Sequence, residues 1–493
     1  MATEQLSDVD VADVRESPTD SNTRGSWILF AICGAVIASC VVALFLPLEP
    51  AAVGGFASLL MLALIFLRVP VAFAMIAPSL LGMYALRGTP LVEGTLTTLP
   101  YTQAASWTLS AIPMFILMGL LMWKAGLTES LYIAARRWLG WVPGGLAVGT
   151  NVAGAGLAAV SGSSAGTTYA LARIGIPEML KAGYDKRLAI GSVIVAGLPG
   201  QLIPPSIMLV IFAGIAEVPV GPQLLAGVIP GVMVAVLFTI MIVVFARKWA
   251  PKDENTEVIS LRERLVSLAR VWPVPLIIAT IALGIFSGTF TATEAGAVSA
   301  LLAVIVALWL KRRDAPWKAV GSASSIAVSS VGAIFLMLVG VEALARMYSL
   351  TGISTGFAEW VESMDLNRVT FLLAMTVVYV LLGTFMEPLP MMVLTIPVLM
   401  PTLVTLDIDL LWYGVFAVFM GELAVVTPPV GILSFIIYSI TKEPEVNQGV
   451  NIRLTDVFNS TWYFMPMALV VTLLLIFFPE IATYLPAAAS GGQ

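Results

Sequence analysis

Histidine is absent from this 493-residue chain, cysteine occurs twice, and Asp, Glu, Lys and Arg together supply only 11% of the residues. Without an imidazole, most familiar metal centres and the commonest general acid–base group are excluded. Cys33 and Cys40 lie two helical turns apart in one apolar run. A bond between them would require that helix to unwind, so they read as packing residues. There is no nucleotide-phosphate loop, no plausible cysteine nucleophile and no long polar stretch able to form a soluble catalytic domain. Together these gaps argue against an enzyme.

Apolar residues fill the space that charge leaves. Hydrophobic side chains make up 59% of the chain, whereas a soluble domain carries about a quarter charged residues. Runs such as Trp27 to Leu46, Leu224 to Phe245 and Met465 to Phe478 approach or reach the roughly 20 residues that a bilayer-crossing helix needs, and about a dozen segments span or half-span on that criterion. The formal charge of −5 is mostly local. Residues 1–25 hold Glu4, Asp8, Asp10, Asp13, Glu16 and Asp20 against Arg15 and Arg24, a net −4. This start reads as a disordered acidic tail; it lacks the basic beginning and short apolar core of a cleavable signal.

Lys and Arg mark cytoplasmic loops. Here they gather at Arg136–Arg137, Lys181 to Arg187, Arg247 to Arg270 and Lys311 to Lys318. In the third cluster Leu261, Leu265, Leu268 and Trp272 recur at helical spacing beside Arg262, Arg264 and Arg270, the pattern of an amphipathic helix lying at the interface. Arg68 and Arg87 end apolar runs and are placed to snorkel, and most tryptophans fall near run ends as interfacial anchors.

Self-similarity carries the most information. Phe115 opens FILMG and Phe335 opens FLMLVG; Gly162 sits in SGSSAG and Gly383 in LGTFMEP; Pro177 and Pro397 each follow an isoleucine; Pro204–Pro205 sit in IPPS and Pro428–Pro429 in TPPVG. The offsets are 220, 221, 220 and 224 residues. Such landmarks kept in order predict two homologous halves. Proline removes a backbone donor and clashes with the preceding turn, so the two Pro–Pro pairs should unwind their helices. In lipid, freed backbone groups cost several kcal/mol unless they line a cavity or bind something. SGSSAG and GTFMEP are short and polar enough to be tips of helical hairpins that enter and leave by one face. The fold class that follows is an all-α polytopic membrane protein, an inverted-repeat secondary transporter with two re-entrant hairpins and two unwound helices.

The expected plan is a tail (1–25), an extra transmembrane helix (26–50), scaffold helices (51–110) and a first transport repeat (111–246, tip about 161–166, unwound helix about 200–206). An amphipathic segment (247–272), connecting helices (273–320), a second transport repeat (321–445, tip about 383–388, unwound helix about 426–431) and a C-terminal helix and tail (446–493) complete it.

SGSSAG, IPEMLKAGY at 176–184, IPPS at 203–206, AGVIPG at 226–231, TATEAGA at 291–297 and TPPVG at 427–431, in this order, resemble the large membrane subunit of the tripartite ATP-independent periplasmic (TRAP) transporters, from about Val53 to Phe478. The resemblance implies an elevator-type carrier of the bacterial inner membrane that imports an organic acid with Na⁺. It also implies two partners, a periplasmic substrate-binding protein and a small four-helix membrane subunit. With room for a single extra helix before the resemblance begins, that subunit is expected on a separate chain. No nucleic-acid partner and no cofactor beyond the coupling ion are implied. The chain departs from the family pattern at Gly166–Thr167, where an Ala-Asp pair is common, at Glu387 for aspartate and at Leu433 for asparagine.

Candidate Na⁺ and substrate residues are Ser161, Gly162, Ser163 and Ser164 at the first tip, with Gly200, Pro204, Pro205 and Ser206 in the first unwound helix. Their counterparts are Gly383, Thr384 and Glu387, with Thr427, Pro428, Pro429 and Gly431. Each has a plainer reading as a helix end or a kink. Glu294 and Glu422 are acids at membrane depth and count as functional by default, although Thr291 and Glu294 also have capping-box spacing. Lys124 and Arg346 could meet a substrate carboxylate or a partner subunit. The competing reading is a free-standing ion-coupled anion or drug carrier of the same fold.

Overall fold

The computed structural model describes residues 23–251, 260–428 and 431–491, with side chains from residue 32. Most of the acidic tail, part of the 247–272 segment and Pro429 therefore lie outside the described residues. All regular structure among the described residues is helical.

The first half runs α1 (Thr23–Leu44), α2 (Pro50–Phe66), α3 (Val71–Arg87), α4 (Thr89–Ala104), α5 (Ala111–Lys124) and α6 (Leu127–Leu139). It continues with α7 (Gly145–Ser161), α8 (Ser164–Lys181), α9 (Lys186–Val195), α10 (Ile207–Ile215) and α11 (Val220–Trp249). Next come α12 (Leu261–Val271), α13 (Pro273–Phe286) and α14 (Ala292–Leu310). The second half is α15 (Pro316–Thr351), α16 (Ile353–Ser363), α17 (Arg368–Gly383), α18 (Pro388–Thr405), α19 (Leu410–Val426), α20 (Ile432–Thr441), the one-turn α21 (Pro444–Asn447), α22 (Leu454–Phe477) and α23 (Glu480–Ser490). Among the described residues, five helices (α11, α14, α15, α18 and α22) are long and apolar enough to cross a membrane. The pairs α4–α5 and α12–α13 are each bent by 52°.

The hairpin α7–α8 followed by the broken pair α9/α10 and then α11 has its counterpart in α17–α18, α19/α20 and α22. Polar links gather the basic ends on one side. Arg136 pairs with Glu178 at 2.6 Å, Lys186 with Asp456 at 2.7 Å, and the Trp138 indole donates to the Arg264 carbonyl at 3.0 Å. The amide of Asp185 donates to the carbonyl of Trp249 at 2.8 Å. The open end of α7–α8 lies on this side. The open end of α17–α18 lies on the other, where Arg368 rests over the Trp412 ring and the Trp412 indole donates to the carbonyl of Leu475, near the end of α22. The two hairpins thus approach from opposite ends of the bundle.

Local chemistry sets each boundary. Gly162, at φ +64°, ends α7 in the left-handed region, and Ser163 caps α8 by accepting from the Gly166 amide at 3.1 Å. The first tip is therefore only Gly162–Ser163, shorter than the expected 161–166, because Ser164 to Gly166 already belong to the capped helix. The second tip, Thr384 to Glu387, is longer, and Pro388 opens α18 at a position that needs no amide donor. The first broken helix parts at Ala196, earlier than the expected 200. A proline at 199 clashes with the carbonyl of Val195 four residues back, and the chain turns through a single 3₁₀ turn at Pro199–Gln201. The second break begins at Thr427, one residue later than expected. The amphipathic α12 carries a full capping box, Ser260 with Glu263, and leaves Leu261, Leu265, Leu268 and Trp272 exposed.

Candidate functional site

Both hairpin tips end against α19. Gly383, the last residue of α17, sits so close that a Cβ there would lie 2.0 Å from the Ala424 Cβ, and a Cβ on Gly421 would lie 3.0 Å from the Cβ of Pro388 at the start of α18. From the other hairpin, Ser164 donates its hydroxyl to the Oε2 of Glu422. Residues 421–424 of α19 are thus where the two halves meet.

Glu422 is 1% exposed, and its second carboxylate oxygen, Oε1, has no hydrogen-bond partner among the described residues. A buried carboxylate with an open oxygen is poorly compensated and well placed to take up a cation. Glu387, at the start of α18, is exposed and makes no capping hydrogen bond.

The first unwound segment holds the other end of the tip. Gln201, with its carboxamide oxygen facing the tip, accepts from the Ser163 and Ser164 amides at 3.1 and 3.0 Å. Gly200 permits this approach, since a Cβ there would meet the Ala158 Cβ at 2.4 Å and the Ala155 carbonyl at 2.5 Å. Gln201 was not among the residues that the sequence singled out; the available signal was a lone amide in an apolar, unwound stretch. Gln201→Leu is expected to destabilise the purified protein by about 1–2 kcal/mol, two ordinary hydrogen bonds, read as a lower thermal unfolding temperature in detergent. An unchanged temperature would show that water replaces the amide.

The remaining candidates divide. The Ser161 and Thr167 hydroxyls share a hydrogen bond at 3.2 Å behind the first tip. Thr384 and Thr427 turn their hydroxyls back onto their own helices, onto the carbonyls of Leu381 (2.6 Å) and Leu423 (2.7 Å). Ser206 caps α10 by accepting from the Leu209 amide at 3.1 Å. Pro204 and Pro205, joined by a cis peptide, lie within the first break, and Pro428 and Gly431, the latter at φ +45°, lie within the second. Glu294 is not brought to the tips. It closes a capping box at the start of α14, taking the Thr291 amide at 2.8 Å and hydroxyl at 2.9 Å, because a glutamate three residues after a threonine is positioned for that cap. Lys124 rests over the Trp123 ring, and Arg346 pairs with Glu342 on its own helix.

Behind the second hairpin, the buried Tyr379 and Tyr413 hydroxyls lie 2.9 Å apart, and Tyr379 also reaches Thr395 at 3.1 Å. This network ties both legs of the hairpin to α19. The site therefore combines hydroxyls and one buried carboxylate, all hard oxygen donors, beside the amino end of α8.

The family described as "Tripartite ATP-independent periplasmic transporter, DctM component" matches residues 58–481. The C4-dicarboxylate TRAP transporter large permease protein DctM of Pseudomonas aeruginosa is 33% identical over 386 residues, covering 77% of this chain and 85% of that protein. The ectoine TRAP transporter large permease protein TeaC of Halomonas elongata is 28% identical over 425 residues, 86% of this chain and 97% of that one. Among solved structures, the YdaH transporter of Alcanivorax borkumensis shares the fold, with a TM-score of 0.57 at 13% identity, over 80% of this chain and 90% of that one.

Proposed function

The chain belongs to the DctM component family of the tripartite ATP-independent periplasmic transporters, and from that premise we propose that it is the large permease subunit of a Na⁺-coupled importer of an organic acid. The observation that carries the coupling is the hydrogen bond from Ser164, at the tip of one hairpin, to Glu422 of the other half. The open Glu422 oxygen beside the tip hydroxyls is oxygen chemistry suited to Na⁺. The amino end of α8, partly positive, favours a carboxylate nearby.

In this reading α7–α8 and α17–α18 are re-entrant hairpins. They move with the broken helices as one body against α1 to α5 and α13 to α15, an elevator-type motion. The basic side faces the cytoplasm of a bacterial inner membrane. A periplasmic binding protein delivers the solute to the opposite face, and a small four-helix membrane subunit completes the membrane unit.

The test is uptake of candidate carboxylates into proteoliposomes holding this chain and its small partner, with and without a Na⁺ gradient and with and without the soluble binding protein. Uptake that requires both supports the proposal, and uptake that requires neither overturns it. Within the same assay, Ser163→Ala and Thr427→Val are each expected to raise the Na⁺ concentration for half-maximal uptake, by about tenfold for a lost or displaced ligand. An unchanged Na⁺ dependence in both would move the ion elsewhere.

A further inference from the structure

On the side away from the basic clusters, the α4–α5 bend, the α10–α11 turn, the α13–α14 turn and α23 enclose a cavity of about 830 Å³. Leu109, Leu225 and Phe290 give it an apolar wall, while Gln103, Ser106 and Thr293 give it polar groups. Among the described residues that line it there is no lysine or arginine, and Glu217 is the one acid. Trp107, 74% exposed, also lines it. An acid and a tryptophan lining one cavity, with no lysine or arginine beside them, suit a positively charged group.

The backbone at Glu217 adds a separate observation. After α10 the Val218 amide donates to the Ala213 carbonyl at 3.0 Å, and Glu217 stands at φ +53°. That helix-ending position normally belongs to glycine. The same holds for Asp365 after α16 and Asp407 after α18, both at φ +51° and both on this side of the bundle. Three left-handed turns on this face carry acids, whereas the other non-glycine left-handed residues among those described, Arg68, Ala315 and Gln448, are not acidic.

We propose that this cavity binds the incoming solute through a cationic group, so that the imported acid is a zwitterion, carrying an ammonium or comparable cation as well as its carboxylate, and not a dianion. The inference rests on the permease reading above and narrows its substrate class. A dianion on this face meets Glu217 without a compensating charge, whereas a zwitterion places its cation between Glu217 and Trp107.

The test is direct binding to the full-length chain purified in detergent, with glycine betaine, tetramethylammonium and succinate as probes, followed by calorimetry. Glycine betaine and tetramethylammonium are expected to bind and succinate is not. Glu217→Gln and Trp107→Leu should each weaken betaine binding about three- to fivefold, the scale of one exposed charge or cation–π contact. Glu217→Asp should retain most of it, which separates charge from folding. Equal or tighter binding of succinate, or betaine binding unchanged in both Glu217→Gln and Trp107→Leu, overturns the inference. The permease proposal fails differently. Na⁺-driven, binding-protein-dependent uptake of a dianion would uphold that proposal while overturning this one. Betaine binding weakened in Glu217→Gln, without Na⁺-driven uptake, would uphold a cation site in the cavity while overturning the permease reading and with it the assignment of the imported solute.

Discussion

Glu422→Gln is expected to reduce Na⁺-driven uptake about 10- to 100-fold while leaving the protein folded, because the two side chains have nearly the same volume and only the charge is removed. The hydrogen bond that Ser164 donates to Glu422 is the side-chain link from the first hairpin tip to α19. Glutamine still offers an oxygen to Ser164 but cannot present an anionic oxygen to a cation, so the Na⁺ dependence should weaken along with the rate. Ser164→Ala should cost less, since it leaves the carboxylate in place. The double variant should cost little more than Glu422→Gln alone, as expected for two residues acting as a unit. Uptake by Glu422→Gln within twofold of the parent would reduce the residue to packing.

Gly383→Ala is expected to destabilise the protein by about 1–3 kcal/mol, the usual cost of overpacking, and to abolish most uptake. The added methyl would sit 2.0 Å from the Ala424 Cβ and 3.0 Å from its Cα. No rotamer relieves a Cβ, so α17 must lift away from α19, and the second tip moves with it. Gly200→Ala makes the mirrored change, pressing on the α7 backbone at Ala155 and Ala159 and withdrawing Gln201 from the first tip. Gly94→Ala, on α4 where a Cβ meets nothing within 4 Å, should leave both stability and uptake unaltered. Thermal unfolding and uptake measured on the three variants check the set. Wild-type behaviour from Gly383→Ala would mean that the seat of the tip on α19 is loose.

Much of this architecture was legible because proline and glycine act on their own neighbours. The four paired landmarks marked two halves, and in the structure each half holds a hairpin followed by a broken helix. The capping boxes at Ser260 and Thr291 were equally local, a matter of residues three apart. That locality also explains why Glu294 could be read two ways: its spacing gave the cap, but nothing in the sequence said how far α14 stands from the tips. The early opening of the first broken helix at Ala196 was legible in principle from Pro199, a signal outweighed by the more conspicuous Pro–Pro pair.

Composition alone determined that the chain is rich in apolar segments and contains no histidine, and its Pro/Gly pattern determined much of where its helices break. Both follow from forces acting within a few residues: burial of apolar runs, the missing amide of proline and the caps of helix ends. Only the tertiary structure decided that Ser164 meets Glu422 across 258 residues, that Gln201 caps the first tip and that Glu217 shares a cavity with Trp107. Those pairings depend on how separate helices pack, and a side chain's position along the chain does not reveal which distant partner its packing will bring within hydrogen-bonding reach.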